Sequence, residues 1–248
     1  MAHRTVESHG AFFIPHLYSG MRLLDCGCGP GTISLGLARI ISPGTVTGID
    51  REISQISIAI ANAQKQDITN ADFIPGSIYN LPFPDRSFDA VFSHALFEHL
   101  AEPLKALSEI KRVLKPGGKV GIRSPDWGGF LIAPETPQVK KAIAFYQFLQ
   151  QQNGGNIYVG RELKSLLRKA GFSDLKFSAS YQCYESLDRI AEYLALRIEA
   201  SEKLESSPEN KWTSELTLTQ MAEALRKWSQ QPDGIFAQSW CEVVGLIG

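Results

Sequence analysis

The chain has 248 residues, with 25 basic and 26 acidic side chains and a hydrophobic share of 44%, which suits a single globular domain with additions and gives no global field that would draw a polyanion. No run of eighteen apolar residues occurs, and His3, Arg4, Glu7 and His9 interrupt the stretch where a signal peptide would need continuous apolarity, so no membrane segment and a cytoplasmic location are expected. Four cysteines make no disulfide framework at this length and the His and Cys residues lack metal-ligand spacing, so reduced thiols and no metal are expected.

Residues 1–20 carry an aromatic patch of Phe12, Phe13 and Tyr18, with His9 and His16 nearby, expected as a short helix over the sheet edge. Next comes Met21 to Gly31, MRLLDCGCGPG, in which Leu23-Leu24 leads into Asp25, then Gly27, Gly29 and Gly31, then a helix-like run from Thr32 to Ile41. That pattern is a strand, a tight turn and a helix start. Glycine is needed where the backbone takes positive φ or a ligand must approach without a Cβ in the way. The helix start adds N–H groups and a positive dipole end, which would suit a carboxylate or phosphate.

Nineteen residues after Gly31, the strand Thr45 to Asp50 ends on an acid, where a ribose diol would find a two-oxygen acceptor. A helix N-cap is the other reading of Asp50. Ile53, Ile56, Ile60 and Ala63 predict the next helix stripe. Ala71 to Pro75 and Phe88 to Ser93 read as short strands around the polar segment Asn80 to Ser87. Leu104, Leu107, Ile110 and Leu114 keep helical spacing up to Pro116-Gly-Gly, which feeds the strand Lys119 to Ser124. Alternating strands and helices predict an α/β fold, a parallel sheet covered on both faces.

Asp126 to Tyr158 is read as an insertion with a helix striped by Val139, Ile143, Tyr146 and Leu149, with Phe145 and Phe148 off the stripe. Arg161 to Ala170 is a helix stopped by Gly171. From Asp174 to Tyr184, Leu175, Phe177, Ala179, Tyr181 and Cys183 alternate with polar residues, as in an edge strand covered on one face, whereas Ile235 to Ile247 is apolar on both parities, as in an interior strand. Between them Ser186 to Gln231 holds two amphipathic helices, one marked by Leu187, Ile190, Leu194 and Ile198, the other by Trp212, Leu216, Met221, Leu225 and Trp228, joined by the polar run Ser201 to Lys211.

Read together, the opening turn, FIPGSIYNLPFPDRSFDAVFSHALFEHL from Phe73 to Leu100 and RVLKPGG from Arg112 to Gly118 resemble the class I S-adenosylmethionine-dependent methyltransferases. The nearest branch includes the ubiquinone/menaquinone-type and many small-molecule methyltransferases, and the resemblance is closest from Leu23 to Ser124. It implies a Rossmann-like doubly wound sheet of seven strands, the last antiparallel and inserted beside the fifth. It also implies S-adenosylmethionine as cofactor and a small molecule as methyl acceptor. On that reading Gly27, Cys28 and Gly29 offer backbone to the methionine part with Asp25 close behind, Asp50 accepts both ribose hydroxyls, and Arg51 flanks the adenine. Where the family commonly has an acidic residue and a small apolar one after the third strand, this chain reads Gly76-Ser77-Ile78. A hydroxyl at Ser77 can still accept from the adenine amino group and the Ile78 N–H can meet a ring nitrogen.

After the fourth strand, Ser93-His94-Ala95-Leu96-Phe97-Glu98-His99 occupies the carboxyl end where substrates meet cofactors, with Ser93 on the cofactor side. His94 is the candidate base for a hydroxyl or activated carbon, and His99, with Glu98, holds the loop or lines the substrate. Residues 1–20, 126–158 and 186–231 are expected to form a cap on one methyltransferase domain, with Trp127, Phe145 and Phe148 lining an apolar acceptor pocket. The competing readings are a nicotinamide-dependent oxidoreductase, which the glycine turn and Asp50 would also serve, and a cofactor-binding protein without catalysis. Nothing in the sequence asks for nucleic acid or indicates an oligomer.

Overall fold

In the first strand, β1 (Arg22–Cys26), Leu23 and Leu24 are both fully buried but belong to cores on opposite faces of one sheet. The same alternation recurs in β4 (Phe88–His94), where Ala90 and Phe92 join Leu23 while Val91 joins Leu24. A sheet apolar on both faces needs two covering layers. One is supplied by α1 (Val6–His9) and α2 (Thr32–Ile41), the other by α4 (Pro103–Val113) and α6 (Val159–Lys169). The structure is a computed structural model and describes residues 4–201 and 216–248. Trp212 and nearly all of the polar run before it lie outside the described residues.

The remaining strands are β2 (Thr45–Asp50), β3 (Ala71–Pro75), β5 (Leu114–Pro125), β6 (Leu131–Ala133), β7 (Ser173–Cys183) and β8 (Ile235–Leu246). Their order is β3-β2-β1-β4-β5-β8, with β7 on β8. The pairs β1–β2, β1–β4, β2–β3 and β4–β5 are parallel. The last strand runs the other way: Gly117 and Gly118 exchange backbone hydrogen bonds with Ile247, whereas Asp126, further along the chain, meets Ser239. Strand order reverses between β1 and β4, which opens a crevice at their carboxyl ends.

The chain divides into two compact units. The first, Met1–Pro125 with Val159–Ala179 and Cys241–Gly248, holds the parallel sheet. The second is Asp126–Tyr158 with Ser180–Trp240. Its helices are α5 (Pro137–Gln152), α7 (Leu187–Glu199) and α8 (Leu218–Ser229), packed on a core that includes Trp127, Phe145, Met221, Trp228 and Phe236. Among the described residues no helix is long and apolar enough to cross a membrane.

Four details differ from expectation. The short strand β6 pairs antiparallel with the start of β8, Leu131 opposite Ala237, which makes the sheet eight-stranded. The N-terminal aromatics lie over the middle of the sheet and not its edge, because Gly121 of β5 and Phe92 of β4 leave a hollow that Phe13 fills. In α3 (Ile53–Lys65) the buried residues are Ile56, Ala59 and Ala63, while Ile53 and Ile60 face solvent, since a Cβ on Gly31 would already touch Ala59 and no larger side chain fits there. In β7 the apolar parity packs on the core at Leu175 and is exposed beyond it, with Phe177 42% and Tyr181 54% exposed.

Candidate active site

Gly27, Gly29 and Gly31 have φ of +76°, +52° and +74°, the left-handed conformation for which glycine is the default residue. Their turn is tied to the end of β2. The N–H groups of Gly27 and Cys28 donate to the Ile49 carbonyl at 2.8 and 3.1 Å, and that of Gly29 donates to Asp50 Oδ2 at 2.9 Å. Asp50 Oδ1 accepts from the Glu52 N–H at 3.0 Å. The turn therefore spends these donors on its own shape, and Asp50 organises it while keeping further lone pairs. Glu52, and not Asp50, holds the N-cap position of α3. A Cβ on Gly27 would come within 3.1 Å of Leu96, so the loop after β4 rests on this turn.

Asp25 lies buried behind the turn and accepts from Ser34 Oγ at 2.5 Å. Burial pushes its carboxyl up to about 7; the Ser34 hydrogen bond opposes that rise and the Asp50 charge adds to it. Burial likewise pushes the Cys26 and Cys28 thiols up, with the Asp25 charge adding, so both stay protonated.

At the end of β4, Ser93 is fully buried and donates to the Cys26 carbonyl at 3.0 Å, joining β4 to β1. His94 is 6% exposed, with Nε2 2.9 Å from Arg123 Nη1 and Nδ1 3.4 Å from Arg4 Nη1. The His9 ring meets it edge-on at 5.1 Å. Burial first, then the charges of Arg4 and Arg123, hold His94 well below the usual histidine range. Glu98 is buried and accepts from Ser124 Oγ at 3.0 Å; desolvation raises its carboxyl to about 7. His99 lies 3.9 Å from Glu98 and is half exposed.

Arg51 is exposed and pairs with Glu52 at 3.1 Å. Ser77 is exposed and its hydroxyl accepts from the Tyr79 N–H at 3.2 Å, the bond of a turn residue; Ile78 is buried in the core. In the second unit Trp127 packs against Tyr146, Phe130 and Phe236, and Phe145 is fully buried with Phe148 beside it. Phe145 does not lie off the apolar face as expected, because α5 is buried over a wider arc that takes in both Phe145 and Tyr146.

The residues that sequence reasoning passed over are Arg123 and Glu242. Arg123 Nε donates to Glu242 Oε1 at 3.0 Å, and Glu242 Oε2 accepts from Ser178 Oγ at 2.8 Å. A signal was present: Arg123 follows the uncharged run Val120-Gly121-Ile122, and Glu242 is the one charge in SWCEVVGL.

The family model described as a methyltransferase domain matches residues 17–179. An uncharacterized methyltransferase of Schizosaccharomyces pombe is 30% identical over 260 residues, covering 98% of this chain and 90% of that protein. Among solved structures, the YcgJ protein of Bacillus subtilis superposes with a TM-score of 0.64 at 18% identity, over 96% of this chain and 97% of that one. Phosphoethanolamine N-methyltransferase 2 of Haemonchus contortus, solved with phosphomonomethylethanolamine and S-adenosylhomocysteine, gives a TM-score of 0.57 at 21% identity. That match covers 93% of this chain and 49% of the nematode protein. At these identities the two structures bear on the fold.

Proposed function

We propose, from the premise that the chain belongs to the methyltransferase-domain family, that it moves the methyl group of S-adenosylmethionine onto a small-molecule acceptor by direct in-line displacement. The observation that carries this reading is the left-handed glycine turn strapped to an acid-ended second strand, with Asp50 holding Gly29 at 2.9 Å. Its chemistry fits the cofactor: a carboxylate with lone pairs to spare for a diol, beside a turn of left-handed glycines.

When bound, the cofactor supplies a methyl group already activated on a sulfonium, so the protein contributes position and polarity. Asp50 takes the ribose hydroxyls. Gly27, Cys28 and Gly29 border the methionine part with Asp25 close behind, and Asp50 places negative charge beside a cationic ligand. Ser77 and Ile78 meet the adenine, Arg51 flanks it, and Ser93 fixes the strand end beneath. His94 and His99 belong to the acceptor side, and Trp127, Phe145 and Phe148 belong to acceptor selection.

Calorimetry with S-adenosylmethionine, S-adenosylhomocysteine and NAD separates the readings, followed by release of S-adenosylhomocysteine over a panel of O-, N- and C-nucleophiles. Binding of the first two, with turnover on a panel member, is expected. NAD binding without S-adenosylmethionine binding would overturn the proposal, and binding without transfer would leave a non-catalytic protein.

A further inference from the structure

We infer that Arg123 is a positioning residue that holds His94 neutral with its proton on Nδ1 and its Nε2 lone pair engaged, so that His94 is not the proton acceptor of the reaction. Its catalytic meaning rests on the methyl-transfer reading; the protonation pattern does not.

The two residues are register partners on neighbouring parallel strands, His94 on β4 opposite Arg123 on β5, and the Ala95 N–H donates to the Arg123 carbonyl at 2.9 Å. Adjacent placement on one sheet brings the guanidinium to the imidazole, with Nη1 2.9 Å from Nε2. A guanidinium has only donors and stays charged, so Nε2 must be the acceptor. A neutral imidazole has one lone pair and one N–H, and its proton is then on Nδ1.

Arg123 is itself held. Its Nε donates to Glu242 Oε1 at 3.0 Å and Ser178 Oγ holds the other oxygen of that carboxylate at 2.8 Å, so three strands, β5, β8 and β7, fix the guanidinium's direction. A network of this kind behind a functional histidine sets its tautomer and ring orientation. Arg4 competes for the ring from the other side, but its contact is longer, 3.4 Å, and it is less buried than Arg123, which is 3% exposed.

Among the described residues, the charged and titratable groups facing the ring are Arg4 and His9 from the N-terminal segment and Arg123 from β5. Glu242 balances Arg123, and Glu98 is engaged by Ser124 and feels Arg4. Burial among cations disfavours the imidazolium, in line with the direction in which His94 is pushed. A proton acceptor needs a lone pair, and the one at Nε2 is committed to Arg123. Nδ1, which carries the proton, faces Arg4 Nη1 at 3.4 Å, so neither ring nitrogen offers a free lone pair.

The test is a set of two-bond ¹H–¹⁵N correlation spectra of the full chain with labelled histidine, recorded from about pH 5.5 to 8, the range in which an ordinary histidine titrates. His94→Gln identifies the signal. The wild type is expected to show the neutral Nδ1–H pattern throughout. In Arg123→Met the same ring is expected to move toward Nε2–H or to begin titrating within that range. If that variant does not fold, Arg123→Ala, which likewise removes the donor, is read the same way. A wild-type ring in the Nε2–H form, a wild-type ring that titrates near pH 6.5, or an unchanged pattern in a folded Arg123 variant would each overturn the inference. Failure to bind S-adenosylmethionine would strike the functional proposal and leave these spectra as they are.

Discussion

Replacing Asp25 by asparagine should stabilise the protein in mild alkali and do little in acid. The carboxyl is 2% exposed and its folded pKa is pushed up to about 7, first by burial, with Ser34 opposing and Asp50 adding, whereas an unfolded aspartate ionises near 3.9. Between those values the native state holds a proton that the unfolded chain has released, so unfolding free energy falls as pH rises. Asp25's contribution is therefore complete below about pH 4 and is lost by the time pH has passed about 7. Each tenfold difference in proton affinity between the folded and unfolded carboxyl is worth about 1.4 kcal/mol, which puts the full loss at about 4 kcal/mol at pH 8. Asparagine retains an oxygen for Ser34 Oγ and cannot ionise. Urea midpoints should show Asp25→Asn more stable than wild type by roughly 2–4 kcal/mol at pH 8 and within about 1 kcal/mol near pH 4. Glu98, raised to about 7 by its own burial, should leave the variant a residual slope of the same sign. Equal stability of the two proteins at pH 8, or a wild-type stability that rises from pH 5 to 8, would refute the reasoning.

Asp50→Ala removes the acceptor of the Gly29 and Glu52 N–H groups. It should weaken S-adenosylmethionine binding by roughly 1–3 kcal/mol, about 5- to 150-fold by calorimetry, and an unchanged Kd would retire the ribose assignment. If the second unit selects the acceptor, its segments 126–158 and 186–231 should gain hydrogen-exchange protection when cofactor and acceptor are present together. Protection confined to the first unit would remove that role.

Much of the fold was legible because its signals are local. Leu23-Leu24 and Ala90 to Phe92 are apolar on both parities, which suits a sheet covered twice, and the two core layers meet those residues from opposite sides. The Arg112 of RVLKPGG reaches back to the LPFPD loop, where its guanidinium donates to the carbonyls of Phe83 and Leu81 at 2.7 and 2.9 Å. Two stretches far apart in the chain are thus one structural device. What periodicity missed was size. Large apolar residues mark a helical stripe, yet in α3 the buried line runs through Ala59 and Ala63 because the helix comes close to Gly31 and Phe73. Ile60 is the more hydrophobic residue and lies one position away, on the solvent side.

The site divides along the same line. Glycines that need positive φ and an acid closing a strand declare themselves within thirty residues, and Asp50 does reach the turn it was matched with. Arg123 and Glu242 are 119 residues apart and their relation exists only once β8 has been inserted beside β5. Their burial nonetheless carries information. Taking an arginine and a glutamate out of water costs several kcal/mol that their attraction only partly offsets, and an apolar pair would serve stability as well or better. Neither charge is needed to close the sheet, where their strand neighbours Ile122 and Val243 are fully buried hydrophobes. The cost is understandable if the guanidinium must present a donor in one fixed direction, and the group in that direction, 2.9 Å away, is His94.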